Sequence, residues 1–271
     1  MLNRIDTTFA RLKTDHQAGF VAYVTGGDPH RDATVEISCA LAASGVDVLE
    51  LGVPFSDPLA DGATIQAAAA RALAAGTNVA NLLESLREIR RRCPDLAIVL
   101  FTYLNPIYTF GFERFHVEAA AAGADGVLIL DLPPDEAARN AELSGTHGLK
   151  AIRLIAPTTP PARMARIAAS ADGFIYYVSR EGVTGEQTEL SDTISSQVAE
   201  LRRHTDLPIA VGFGISNPEQ AASVAQHADA VVVGSAIVRR IAEHADDPDL
   251  AGKIAAFVRP LAEATHRVKR P

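Results

Sequence analysis

The sequence predicts an α/β fold: one (β/α)8 barrel spanning residues 1–271, with an extra helix at its amino terminus. Three observations predict it. Eight short runs rich in Val, Ile, Leu and Phe recur along the whole chain. A stretch of helical periodicity follows each run, and no Pro/Gly/Ser-rich linker or shift of composition divides the chain. The 271 residues also fit the size of such barrels, typically about 250. A doubly wound open sheet is the alternative that alternation alone leaves standing.

The elements follow in order. Ile5, Phe9 and Leu12 recur at i, i+4 and i+7, so residues 3–14 form an amphipathic helix that would plug the amino-terminal mouth of a barrel. The strand runs are Phe20–Thr25, Val46–Leu51, Ile98–Tyr103, Gly126–Leu130, Leu149–Ile155, Phe174–Val178, Ile209–Gly212 and Ala228–Val233. Their apolar character is nearly continuous rather than alternating, as expected of parallel strands buried on both faces. Between them lie helical stripes: Val79, Leu82, Leu83 and Leu86; then Ile194, Val198 and Leu201; and near the end Ile254, Phe257, Val258 and Leu261. Helix starts are signalled at Asp32, at Ser191 or Asp192, and at Asn217–Pro218.

Composition narrows the function classes. Lys and Arg number 25 against 33 Asp and Glu, a net charge of −8, with no basic cluster beyond helix-end runs such as Arg90–Arg92. Nucleic acid and anionic membranes are therefore not expected partners. The apolar share of 48 % supports a sizeable core and argues against disorder. Cys39 and Cys93 stand far apart in sequence and read as buried or idle thiols of a reducing cytoplasm, with a disulfide as the alternative. The eight histidines show no zinc-like spacing, so no metal is assigned. The amino terminus has no uninterrupted apolar run, hence no signal peptide or membrane span, and a cytoplasmic location is expected.

Two strand ends carry glycine chemistry. The seventh run passes into Gly212-Phe-Gly-Ile-Ser216 and the eighth into Gly234–Ser235. Glycines directly after strands let backbone N–H groups approach an anion, and a helix starting at Ser235 adds its positive end. Loops after strands seven and eight are the usual phosphate grip of these barrels. The alternative is that the glycines only make tight turns. Gly182-Val-Thr-Gly185, after strand six, is a candidate third contact and lid.

The most unusual segment follows strand two. Glu50 interrupts an apolar run, where a carboxylate is costly unless it is paired or functional. Desolvation there would raise its pKa and suit it to proton transfer near neutrality. Asp61 ends the next loop, just before a helix over Ala63–Ala75. A buried ion pair for Glu50 and an N-cap for Asp61 are the structural alternatives. Two carboxylates and a phosphate grip together suggest proton transfer on a phosphorylated carbon skeleton, by an isomerase, an aldolase or a decarboxylase.

The segment Glu50-Leu-Gly-Val-Pro-Phe-Ser-Asp-Pro-Leu-Ala-Asp61-Gly62 with Ile65–Gln66 closely resembles the signature of the tryptophan synthase α subunit family. The resemblance continues in Thr25-Gly-Gly-Asp-Pro29, Tyr103-Leu-Asn-Pro106, Asp131-Leu-Pro133, Tyr176-Tyr-Val-Ser179, Gly182–Gly185, Gly212–Ser216 and Gly234–Ser235, collinear over residues 20–240. It implies cleavage of indole-3-glycerol phosphate to indole and glyceraldehyde 3-phosphate by a retro-aldol step without metal or organic cofactor. It makes Glu50 the general acid–base and Asp61 the group that holds the indole N–H. Gly185, Gly214, Gly234 and Ser235 correspond to phosphate contacts. Phe213 would position the substrate, and Tyr176, Leu128 and Ile65 would line the indole pocket. Thr184 corresponds to a lid threonine that bonds Asp61 on closure. Departures are small: Tyr23 and Gly26 vary from some members, and Glu181 adds a charge to the lid.

The resemblance also implies a partner, a pyridoxal-phosphate β subunit in an α2β2 complex that receives indole through a channel. Pro54, Asp57 and Asn105, in the loops after strands two and three, would face it. A stand-alone indole-glycerol-phosphate lyase, and a catalytically silent phosphate-binding barrel that regulates a partner, are the rival functions.

Overall fold

Eight strands whose residues are buried on both faces run parallel: β1 (Gly19–Thr25), β2 (Val48–Gly52), β3 (Ala97–Thr102), β4 (Gly126–Ile129), β5 (Lys150–Ile155), β6 (Ile175–Val178), β7 (Ile209–Gly212) and β8 (Ala230–Val233). Each pairs with the next and β8 pairs with β1, closing a TIM barrel. The structure is a computed structural model and describes residues 3–178, 187–212 and 214–270. The helices are α1 (Arg4–Thr14), α2 (Arg31–Ala42), α3 (Ala63–Ala74), α4 (Val79–Arg92), α5 (Leu104–Phe110), α6 (Phe112–Ala122), α7 (Pro134–Thr146), α8 (Pro161–Ala169), α9 (Gln187–Leu201), α10 (Pro218–Ala225), α11 (Ser235–Glu243) and α12 (Leu250–Arg267).

Two apolar layers hold the fold. Outward-facing strand residues such as Phe20, Leu49, Ile98 and Val231 meet the helical stripes, including Leu82, Leu83 and Leu86 of α4 and Ile254, Val258 and Leu261 of α12. Inward-facing Val21, Val48, Val99, Leu128, Ile152 and Phe174 fill the barrel itself, as side chains do in barrels of this strand number. Ile5, Phe9 and Leu12 of α1 join that inner cluster, with the Phe9 and Phe174 rings 5.6 Å apart, so α1 closes the amino-terminal mouth.

A recurring aspartate latches that same end. Asp47, Asp125 and Asp229 stand just before β2, β4 and β8, and their carboxylates accept the N–H of Phe20, Ile98 and Ile209 on the adjacent strands at 2.8, 2.9 and 2.8 Å. Each also meets basic side chains: Arg11 and His266 for Asp47, Arg4 and Arg90 for Asp125, Arg202 and Arg270 for Asp229. Charge-assisted bonds to both backbone and side chains fix the strand register at the face opposite the loops that carry chemistry.

Several local expectations change. α2 starts at Arg31 with His30 as its cap, and Asp32 lies in the first turn, where its charge suits the positive helix end. α9 begins at Gln187, so Ser191 and Asp192 are interior; a Ser or Asp inside a helix costs only about 0.7 kcal/mol or less against alanine, too little to set the boundary. Asn217 does cap α10, accepting the Gln220 N–H at 2.9 Å, with Pro218 in the first turn. The expected loop Tyr103–Pro106 is the cap and first turn of α5, where proline is tolerated because that N–H has no helical partner. Cys39 and Cys93, distant in sequence, are neighbours in space, because α2 and α4 pack side by side.

Candidate active site

At the carboxyl ends of the strands a cavity of about 620 Å³ opens between the loops. This is within the ~300–1,000 Å³ range of small-molecule sites. One wall is apolar, built by Phe101, Leu130, Leu154 and Tyr176; Asp61 and Ile65 stand on another side; Gly212, Gly214, Gly234 and Ser235 form the third.

Glu50 lies on β2 two residues after Val48, so both point into the barrel. It is paired in register with Tyr23 and Val99 and is fully buried. Neither carboxylate oxygen has a hydrogen-bond partner among the described residues. Burial pushes its pKa from the usual 4.5 up to about 8, so it carries a proton at neutral pH. An ion pair, the structural alternative for Glu50, is not formed there with any described residue. Tyr23 and Tyr176, both lining the cavity, stand close enough to sense its charge. Burial first and the Glu50 carboxylate second hold the Tyr176 phenol far above its usual range. Two strand glycines make room for these phenols. A Cβ at Gly52 would strike the Tyr23 hydroxyl, and one at Gly212 would lie 2.7 Å from that of Tyr176.

Asp61 is half-buried and does not cap α3; Gly62 takes the cap position without a side-chain bond. The Tyr103 hydroxyl donates to Asp61 Oδ2 at 3.0 Å and accepts the Ala60 N–H at 3.0 Å, which fixes the loop and the carboxylate together. Burial raises the Asp61 pKa and the Tyr103 bond opposes that rise. Sequence reasoning noted Tyr103 only as part of a motif and missed this role. Replacing it by Phe removes a bond to a charged group, worth about 1.5–3 kcal/mol. Tyr103→Phe is therefore expected to lower kcat/KM about tenfold or more. It should also move the acid limb of the pH–rate profile upward, since the bond that lowers the Asp61 pKa is gone. An unshifted acid limb would remove Tyr103 from this role.

The segment Thr25–Pro29 acquires a structural purpose. Asp28, buried, accepts two bonds from Arg71 of α3 at 2.7 and 2.8 Å, and Gly27 has φ +86° where a Cβ would strike Thr77. This fork ties the β1 loop to the helix that follows Asp61.

At the third wall Gly214 has φ +63° and Gly234 precedes α11 at its cap, with Ser235 the first helical residue. The first turn of a helix leaves N–H groups without partners, and they face an anion well. Ile65 and Tyr176 line the cavity with these groups. Leu128 does not. It sits one layer lower in the inner core, and Leu130, two residues along the same inward face, occupies the wall instead. Thr184, Gly185 and Phe213 lie outside the described residues. Asp57 and Asn105 are exposed; Pro54 is buried and offers little surface to a partner. Beside Asp57, Leu59 projects with 91 % of its area exposed.

The model of the tryptophan synthase alpha chain family matches residues 9–266. This chain belongs to that family. A tryptophan synthase alpha chain of Geobacter sulfurreducens is 49 % identical over 97 % of this chain and 99 % of its own length. One of Opitutus terrae is 46 % identical over 98 % and 100 %. The crystal structure of tryptophan synthase subunit alpha from Legionella pneumophila superposes with a TM-score of 0.90 at 39 % identity, covering 98 % of this chain and 99 % of that one. As a member of the tryptophan synthase alpha chain family, the protein has the alpha-subunit role in tryptophan biosynthesis and is a lyase of the alpha reaction. No helix among the described residues is long and apolar enough to cross a membrane.

Proposed function

We propose that the cavity binds indole-3-glycerol phosphate and that Glu50 and Asp61 cleave it to indole and glyceraldehyde 3-phosphate. The observation that carries this reading is the pair of unlike carboxylates: Glu50 buried and protonated near neutrality, Asp61 half-buried and bonded by Tyr103. The phosphate is held by backbone N–H groups at Gly214, Gly234 and Ser235, with Gly185 as a further contact, and the indole lies against Ile65, Phe101, Leu130 and Tyr176. Thr184 and Phe213 are further residues assigned to the substrate.

Glu50 gives its proton to C3 of the indole, and positive charge develops on the ring nitrogen. The Asp61 carboxylate accepts the indole N–H and stabilises that charge. The glycerol hydroxyl then returns a proton to Glu50 as the carbon–carbon bond breaks and its electrons restore the aromatic ring. The chemistry needs no cofactor of this chain. Pyridoxal phosphate belongs to the β subunit, which takes up the indole in an α2β2 complex and docks on the loop around Asp57 and the first turn of α5 at Asn105. The cytoplasm is the compartment this pathway implies.

Indole release, measured with and without a β subunit, tests substrate and partner together. Weak turnover alone and strong stimulation by the β subunit are expected. Full turnover alone without stimulation would favour a stand-alone lyase. Leu59→Asp places a charge on an exposed apolar side chain of the docking loop, so it should reduce stimulation at least fivefold and leave basal turnover within twofold.

A further inference from the structure

Cys39 on α2 and Cys93 at the C-cap of α4 bring their Sγ atoms to 3.3 Å across 54 positions of sequence. We propose that this pair is a redox modification site: it reacts with a small disulfide of the glutathione type and closes to an intramolecular disulfide that staples α2 to α4. The inference is independent of the substrate reading above, because both residues lie at the amino-terminal face, opposite the cavity.

Three features support the reaction. Access comes first: both thiols are only partly buried and line an open cleft of about 550 Å³ with Thr8, Arg11, Asp47 and Arg92. Reach is the second. A disulfide bond is about 2.05 Å long, so the sulfurs need to approach by roughly 1.3 Å. Cys93 can supply that movement because it has left the helix, with φ −125° and ψ 72°. The third is the inequality of the two thiols. Burial first, and the neighbouring sulfur after it, push the Cys39 thiol up to about 12, and Cys39 sits inside α2 while Cys93 stands at the open end of α4, so the first attack is assigned to Cys93.

The steps balance. The Cys93 thiolate attacks one sulfur of the disulfide, the S–S bond breaks, and one thiolate leaves and takes up the proton that Cys93 gave to solvent. Cys39 then loses its proton and attacks Cys93 Sγ, expelling the second thiol. The protein loses two electrons and two protons; one disulfide becomes two thiols. The ring so closed contains both Glu50 and Asp61, and confining that segment in the unfolded chain makes the oxidised protein harder to melt. In a reducing compartment such a bond is transient, as expected of a redox-responsive pair.

The test uses the full chain with glutathione disulfide as the oxidant, followed by thiol counting, intact mass and digestion without reductant. The expected result is loss of both thiols, a mass lower by two hydrogens, a peptide joining Cys39 to Cys93, and a higher Tm that dithiothreitol reverses. The Cys39→Ser chain should instead keep one glutathione on Cys93. Stable glutathione adducts on the unaltered chain, unreacted thiols, or cross-links only between chains would each overturn the proposal.

Discussion

Glu50→Gln is expected to lower the rate of indole release by more than ~10³ while leaving the affinity for a phosphorylated ligand nearly unchanged, since general acid–base groups contribute about 10²–10⁴ and this one acts twice in the cycle. The carboxyl has no hydrogen bond to any described residue, so nothing structural is lost when an amide of the same size takes its place. The pH dependence has a definite sign. The reaction begins with a protonated Glu50, so kcat/KM of the unaltered protein should fall as pH rises through about 8. Turnover retained in the Gln chain would remove Glu50 from the chemistry.

The same substitution reports on stability. With its pKa raised from 4.5 to about 8, Glu50 keeps in the folded state a proton that the unfolded chain releases. Its contribution is fully present below 4.5 and is lost as pH rises through about 8. The gap is worth at most ~5 kcal/mol. Glu50→Gln abolishes this dependence, so the variant should melt close to the unaltered protein at pH 5 and well above it at pH 9. Thermal melts at the two pH values measure it. An active-site residue whose removal stabilises the fold is a group whose burial serves chemistry.

The barrel was legible because its strands are nearly all apolar and recur with helical stripes between them; the runs Phe20–Thr25 and Ile209–Gly212 fall on β1 and β7 within one residue. Glu50 stood out for the same reason, as a charge among apolar neighbours. What escaped was whatever depends on the packing of distant segments. Cys39 and Cys93 meet only because α2 and α4 are adjacent, and Leu130 rather than Leu128 reaches the cavity because the strand's height in the barrel decides which inward residue forms the wall. The aspartates at 47, 125 and 229 did carry a signal, each following a small or apolar residue just before an apolar strand, but their role needs the neighbouring strand's N–H to be known. The Tyr103–Asp61 bond crosses 42 positions and follows from no spacing rule.

Asp61→Asn separates the two roles that the sequence left open for this residue. As an N-cap, Asp61 would stabilise α3, and an Asn would serve about as well. The cap lies instead at Gly62, and the Asp61 carboxylate bonds Tyr103 on the far side of the loop, so the substitution should change Tm little. The amide keeps an oxygen for the Tyr103 hydroxyl and for the indole N–H, and it removes only the charge. A carboxylate about 3 Å from a developing positive charge contributes on the order of 5 kcal/mol at an effective dielectric of about 20. Much of that attraction exists only in the transition state, so kcat should drop by more than ~10² with a smaller change in KM. Because burial has already raised the Asp61 pKa, its ionisation sets the acid limb of the profile, and the Asn chain should lose that limb. A rate within tenfold of the unaltered protein, or a retained acid limb, would mean that another group balances the charge on the indole.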